Sequence, residues 1–182
     1  GCEIEMGGMS WQSLALPGHD MEALGYYNPE QRILISGDAL WENGFGVIFP
    51  ELLGEADGIA STRATLEMLG RLPIDTVIPG HGSPFVDVDT ALERAFRRLD
   101  GFAANLDKLA WHAIKVIVSF AMLEKRSVPT ADFPAFVLGL PFAVDVNRRY
   151  LGLADDALIA RLLTALTEAG ALQQLDGELR AG

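Results

Sequence analysis

The sequence contains three histidines, His19, His81 and His112. Two of them occupy the same tripeptide, Pro17-Gly18-His19 and Pro79-Gly80-His81, and each tripeptide directly follows an apolar, strand-like run. A Pro-Gly turn at a strand end projects the next side chain from the edge of a sheet, where sites collect in α/β proteins. Asp38 has a comparable position, after the run from Arg32 to Gly37. Three strand ends thus present two imidazoles and a carboxylate, the ligand types suited to zinc and related divalent metals. Each group also has a plainer reading. Pro-Gly-His alone is a common turn, and an aspartate at a strand end is commonly a cap.

The elements that must carry these groups follow from periodicity. Glu3 to Met6 alternates and Gly7-Gly8 turns the chain. Ser10 to Leu16, Ala23 to Tyr27 and Arg32 to Ser36 read as three further strands, with a turn at Asn28-Pro29-Glu30. Trp41 to Pro50 carries two glycines and several aromatics and reads as a loop. Ile59 to Leu72 is predicted as a helix, with Ile59, Leu66, Leu69 and Leu72 on one face. Ile74 to Ile78 is a buried strand broken by Pro79-Gly80, and the alternation of strand, helix and strand suggests an α/β layer. After Pro84 the strand pattern stops. Thr90 to Leu109 and Trp111 to Leu123 read as two helices or one long bent one, Val128-Pro129-Thr130 as a break, and Phe133 to Phe142 as short helix or irregular chain. Asp155 to Ala169 is an amphipathic helix with Leu158, Leu162 and Leu166 on one stripe, ended by Gly170. Leu172 to Leu175 and Glu178 to Arg180 form a hairpin about Asp176-Gly177. Helices followed by a hairpin outline a winged-helix-like domain, so the expected division is 1–100 and 101–182.

Leu16-Pro17-Gly18-His19, Ile35-Ser36-Gly37-Asp38-Ala39-Leu40 and Val77-Ile78-Pro79-Gly80-His81-Gly82 resemble, in order and spacing, the last three metal-binding motifs of metallo-β-lactamase-fold hydrolases. The resemblance covers roughly residues 3–85 and extends more weakly through the helical domain that some of these hydrolases carry. It implies an α/β (α+β) protein: the C-terminal half of a metallo-β-lactamase αββα sandwich, then a small helical winged-helix-like domain. It implies that His19 is the third ligand of a first metal, that Asp38 bridges two metals, and that His81 completes the second. The cofactor so implied is zinc, two ions per complete site, with other divalent metals possible. The family's earlier motif, His-x-His-x-Asp-His, supplies the remaining ligands and the acid/base aspartate. It is absent, since no two histidines here lie closer than 31 residues.

That motif lies upstream in the family, and this chain opens Gly1-Cys2-Glu3-Ile4 without a methionine. The expectation is a fragment of a metal-dependent hydrolase of an ester, thioester, lactone or related bond. Alone it should be inactive and hold metal weakly or not at all. Its partners would be a small-molecule substrate in the parent protein, and either the missing N-terminal half or a second copy. The alternative is a non-catalytic binding or oligomerisation module. Asp20-Met21-Glu22 departs from the Thr or Ser, Pro and Gly that many members place after the first Pro-Gly-His. Asp20 is either a partner of His19 or a solvent-facing turn residue.

Trp41, Phe45 and Phe49 follow Asp38 closely and are candidates for a substrate-binding wall, since such pockets are largely apolar. Packing beneath a long loop is the equal alternative. His112 sits in a helical run without a ligand pattern and reads as structural. Hydrophobic residues make up 49% of the chain, enough for a real core at this length. The net charge is −11, with 6 basic against 16 acidic residues in 1–100 and 8 against 9 in 101–182. That balance argues against a phosphate-backbone partner, and Arg148-Arg149 is too small a patch to reverse it. No apolar run approaches the roughly 18 residues of a membrane span, and no signal-like start is visible. Cys2 is the only cysteine, which excludes an internal disulfide and fits a reducing compartment. The expected setting is cytoplasmic, with no membrane and no nucleic acid.

Overall fold

The computed structural model describes residues 2–55 and 57–182. The chain divides into two compact units, Gly1–Asn105 and Leu106–Gly182.

The first unit holds five strands, β1 (Glu3–Met6), β2 (Met9–Ala15), β3 (Leu24–Asn28), β4 (Ile33–Gly37) and β5 (Thr76–Pro79). Its helices are α1 (Phe49–Leu53), α2 (Gly58–Leu69) and α3 (Val88–Ala103). The strands lie in the order β1-β2-β3-β4-β5. The first three pairings are antiparallel and the last is parallel. Gly7 and Gly8 close the first hairpin with φ of 62° and 74°, the doubly left-handed backbone of a two-residue turn that matches strand twist. A parallel neighbour cannot be reached by a tight turn, and α1 and α2 form the crossover from β4 to β5. One consequence fixes the site. Strands β2, β4 and β5 all run the same way, so their carboxyl ends share one edge of the sheet.

The two sheet faces differ. Tyr27, Leu34 and Val77 are successive cross-strand neighbours and are almost completely buried. Tyr27 Oη donates to the Pro73 carbonyl beyond α2, and Thr65 Oγ1 of α2 donates to the Pro17 carbonyl. Leu66 and Leu69 of α2 and Ala91, Ala95 and Leu99 of α3 are buried. Asp87 starts α3 by accepting the Thr90 backbone N–H, a side-chain cap worth about 1 kcal/mol. On the opposite face, register aligns Ile4 with Trp11, Met6 with Met9, Tyr26 with Ile35, and Ile35 with Ile78. Ile4, Met6, Met9, Leu24 and Ile78 remain exposed there. Helix α1 lies where the sequence reads as loop through Pro50. Proline suits the first turn of a helix, and Gly54, with φ of 71°, ends this one after a single turn.

The second unit contains α4 (Leu106–Lys125), β6 (Ser127–Pro129), α5 (Phe133–Leu138), α6 (Pro141–Val146), α7 (Asp155–Glu168), β7 (Leu172–Leu175) and β8 (Glu178–Ala181). Leu109, Ile114, Val118 and Met122 of α4 and Leu158, Leu162 and Leu166 of α7 are buried. Trp111 of α4 lies beneath the Arg161 guanidinium of α7, 4.1 Å from the ring centre. Asp176 and Gly177, with φ of 52° and 77°, turn β7 into β8. β6 adds a third strand on the far side of β8. Two readings shift here. The break between α3 and α4 falls at Ala104-Asn105, five residues before the expected place at Ala110. The Val128-Pro129 stretch is an edge strand, where proline is tolerated because one side needs no partner. His112 lies half-buried on α4. Among the described residues no helix is long and apolar enough to cross a membrane.

Candidate metal centre

The three strand-end groups meet at the shared edge. His19 Nε2 lies 3.5 Å from Asp38 Oδ2, and His81 Nε2 lies 3.7 Å from Asp38 Oδ1. One carboxylate therefore faces two imidazoles, one through each oxygen. The side chains of His19 and Asp38 are 27% and 29% exposed and that of His81 is 55% exposed, so the cluster opens to solvent.

The surrounding backbone comes very close. The amide of Gly46 donates to the Asp38 carbonyl, and the amide of Gly80 to the Gly37 carbonyl, both at 2.8 Å. A Cβ at Gly46 would stand 2.7 Å from His19 Nδ1 and 2.9 Å from Asp38 Cβ. One at Gly80 would stand 2.6 Å from Asp38 Oδ1. These two glycines let the flanking loops close on the cluster.

The orientation of His19 is set by the Val47 carbonyl, 2.6 Å from Nδ1. A carbonyl only accepts, so Nδ1 carries the proton. Nε2 then faces a carboxylate oxygen, and a ring without a proton at Nε2 would set two acceptors against each other. A cation between them removes that repulsion, and a second-sphere bond at Nδ1 is how metal-binding histidines are usually held. The separations also suit a metal. Tetrahedral zinc ligands at about 2.0–2.1 Å stand roughly 3.3 Å apart. The donor types therefore fit zinc, but their number does not complete a site. Among the described residues, no three or more His, Cys, Asp or Glu side chains are grouped to hold one ion.

The loop after β4 separates the three aromatics. Trp41 Nε1 donates to Asp38 Oδ1 at 3.1 Å, and its ring meets His81 edge-on with centroids 5.2 Å apart. Phe49 packs on His19 at 5.4 Å and, with Met21 and Leu53, lines a shallow open pocket of about 260 Å³ beside it. Phe45 is buried and packs on Phe102 beneath the Arg98 guanidinium, which places it under the loop and outside that pocket lining. Burial lowers the Arg98 pKa, but a guanidinium stays charged at any ordinary pH. Asp20 accepts the Glu22 amide at 2.9 Å, the turn alternative. Sequence reasoning missed the Val47 carbonyl, Gly46 and Arg98. Only Gly46 leaves a trace, as a glycine in an otherwise apolar run.

One of the comparisons with known proteins matches a stretch that includes these three groups. The Metallo-beta-lactamase superfamily profile matches residues 3–81. A hydroxyacylglutathione hydrolase from Bartonella tribocorum is 35% identical over 76 residues, covering 42% of this chain and 28% of the relative. An acyl-coenzyme A thioesterase from Gallus gallus is 25% identical over 132 residues, covering 71% of this chain and 46% of the relative. Among solved structures, a beta-lactamase domain protein from Burkholderia ambifaria superposes with a TM-score of 0.52 at 22% identity, covering 99% of this chain and 50% of the other. The match thus spans half or less of each of these proteins. Over residues 3–81 this mixed α/β chain is similar to the metallo-beta-lactamase superfamily, and its fold is that of the Burkholderia ambifaria protein.

Proposed function

We propose that this chain supplies part of a two-zinc hydrolase centre, with His19, Asp38 and His81 as ligands and an ester, thioester, lactone or related acyl compound as substrate. The observation that carries the reading is one carboxylate facing one imidazole through each of its oxygens. Bound zinc would supply an activated hydroxide and polarise the acyl carbonyl. The residues of this chain do the positioning. Val47 holds His19 with Nε2 toward the centre, Asp38 divides its oxygens between the two histidines, and Phe49 walls the adjoining pocket. A thioester is the favoured class, because the relatives are named for acyl groups carried on glutathione or coenzyme A. A cytoplasmic setting suits both the lone Cys2 and such thiol carriers.

The chain lacks the His-x-His-x-Asp-His motif, so each zinc would want further ligands and the acid/base group would come from elsewhere. The open sheet face bearing Ile4, Met6, Met9, Leu24 and Ile78 favours a complementary association, with the remainder of the sandwich or a second copy covering it. The test is to purify the chain, measure bound zinc and molar mass, and follow thiol release from an acyl-thiol. The expected result is little zinc, a mass above the monomer or recruitment of an added segment carrying the missing motif, and turnover only with that segment. A monomer with two tightly bound zinc ions and full turnover would overturn the fragmentary reading. Zinc uptake unchanged by His19→Ala when the added segment is present would overturn the site itself.

A further inference from the structure

We infer that Trp41 is a positioning residue for Asp38: its indole N–H fixes which carboxylate oxygen faces which histidine. The inference rests on the proposed metal centre, but its geometric part stands without it. Asp38 has a rotatable carboxylate that is partly open to solvent. Nothing in its covalent structure favours one oxygen over the other. Trp41 Nε1 reaches Oδ1 alone, at 3.1 Å, and the same ring packs edge-on against His81. The oxygen that accepts from the indole is therefore the one turned toward His81, and Oδ2 is left toward His19.

An indole can orient a carboxylate only if it is itself held. The Trp41 amide donates to the Gly44 carbonyl at 2.7 Å, closing a tight turn over Glu42 and Asn43. Two arginines of α3 grip that turn by its backbone. Arg94 donates to the Glu42 carbonyl and Arg98 to the Asn43 carbonyl, both at 3.3 Å. Arg98 also lies across Phe45 and Phe102, with centroids 5.5 and 5.4 Å from its guanidinium carbon. Gly44 has φ of +130°, and a Cβ there would strike Arg98 Nη1 at 2.7 Å, so the close grip requires glycine. The buried Phe45 and the cationic Arg98 thus anchor the loop that aims the indole.

The experiment uses the indole N–H resonances of the three tryptophans in the ¹⁵N-labelled chain, with Trp41→Phe identifying the Trp41 signal. Trp11, whose indole donates to the Met6 carbonyl, is the internal control. Asp38→Ala is expected to shift the Trp41 signal and speed its solvent exchange while leaving Trp11 unchanged. Trp41→Phe keeps an aromatic ring and removes the donor, so it is expected to weaken zinc binding about tenfold, as loss of an outer partner does, with melting temperature unchanged. A Trp41 signal indifferent to Asp38→Ala overturns the inference, as does unaltered zinc affinity in a folded Trp41→Phe chain. If His19→Ala and His81→Ala leave zinc uptake untouched, the metal-centre reading fails, and the indole signal alone then decides the role of Trp41.

Discussion

The chain uses the tripeptide Pro-Gly-His twice, and the two copies are held in different ways. In the first, His19 is gripped from both sides. Its Nδ1 donates to the Val47 carbonyl and its ring rests on Phe49, while Gly18 presses on α2, where a Cβ would lie 2.4 Å from Thr62 Oγ1. In the second, His81 is about twice as exposed and meets Trp41 edge-on, while Gly80 presses on the Asp38 carboxylate itself. The same three residues thus serve one cluster through a helix contact in one case and through the cluster's own carboxylate in the other. Local sequence places the imidazole at a strand end, and the neighbouring segment decides how firmly it is fixed.

The largest effect should come from the residue the two copies share. Asp38→Ala removes the carboxylate that faces both imidazoles, and zinc titration should show a loss beyond the about 10–100-fold that an outer-partner substitution costs. Equal zinc binding by the variant would mean that the two turns are separate features.

The next test separates the glycines. Gly18→Ala would push against Thr62, including its backbone at 3.0 Å, in a chain conformation that L side chains rarely adopt. Overpacking of this kind costs about 1–3 kcal/mol, visible as a lower denaturation midpoint. Gly80→Ala would displace the Asp38 carboxylate and also press on the Gly37 backbone at 3.0 Å, so zinc affinity should fall along with stability. The reverse pattern in the two variants would break the comparison. The smallest effect is expected from Phe49→Leu, which removes the ring resting on His19 but leaves the Val47 bond. The His19 side-chain resonances should shift and those of His81 should not, with stability changed by less than about 1.5 kcal/mol.

Much of this was legible in advance because strand-end turns are written in few residues. The Gly7-Gly8 hairpin, the strand before Asp38 and the Pro79-Gly80 stop follow from turn chemistry and alternation, and they suffice to bring the three groups to one edge. Other features depend on partners far along the chain. β6 carries a proline and only three residues, and it becomes a strand because Leu179 and its neighbours in β8 pair with it. The break before α4 has no glycine or proline, whereas Gly101 lies inside α3 without breaking it. Phe45 and Phe49 are alike in sequence, and one is buried while the other lines the pocket because α3 covers only the first. The Val47 carbonyl left no sign at all, since any residue carries one.

The parallel pairing of β4 with β5 also sets an order of events. Strands β1 to β4 join through short turns and can pair as soon as they exist, so His19 and Asp38 belong to local structure. His81 arrives only after the crossover through α1 and α2 has closed, against a chain entropy that must be met before the contact returns anything. During synthesis the first imidazole and the carboxylate leave the ribosome well before the second imidazole. Until β5 has docked, the nascent chain can present only two of these three groups together.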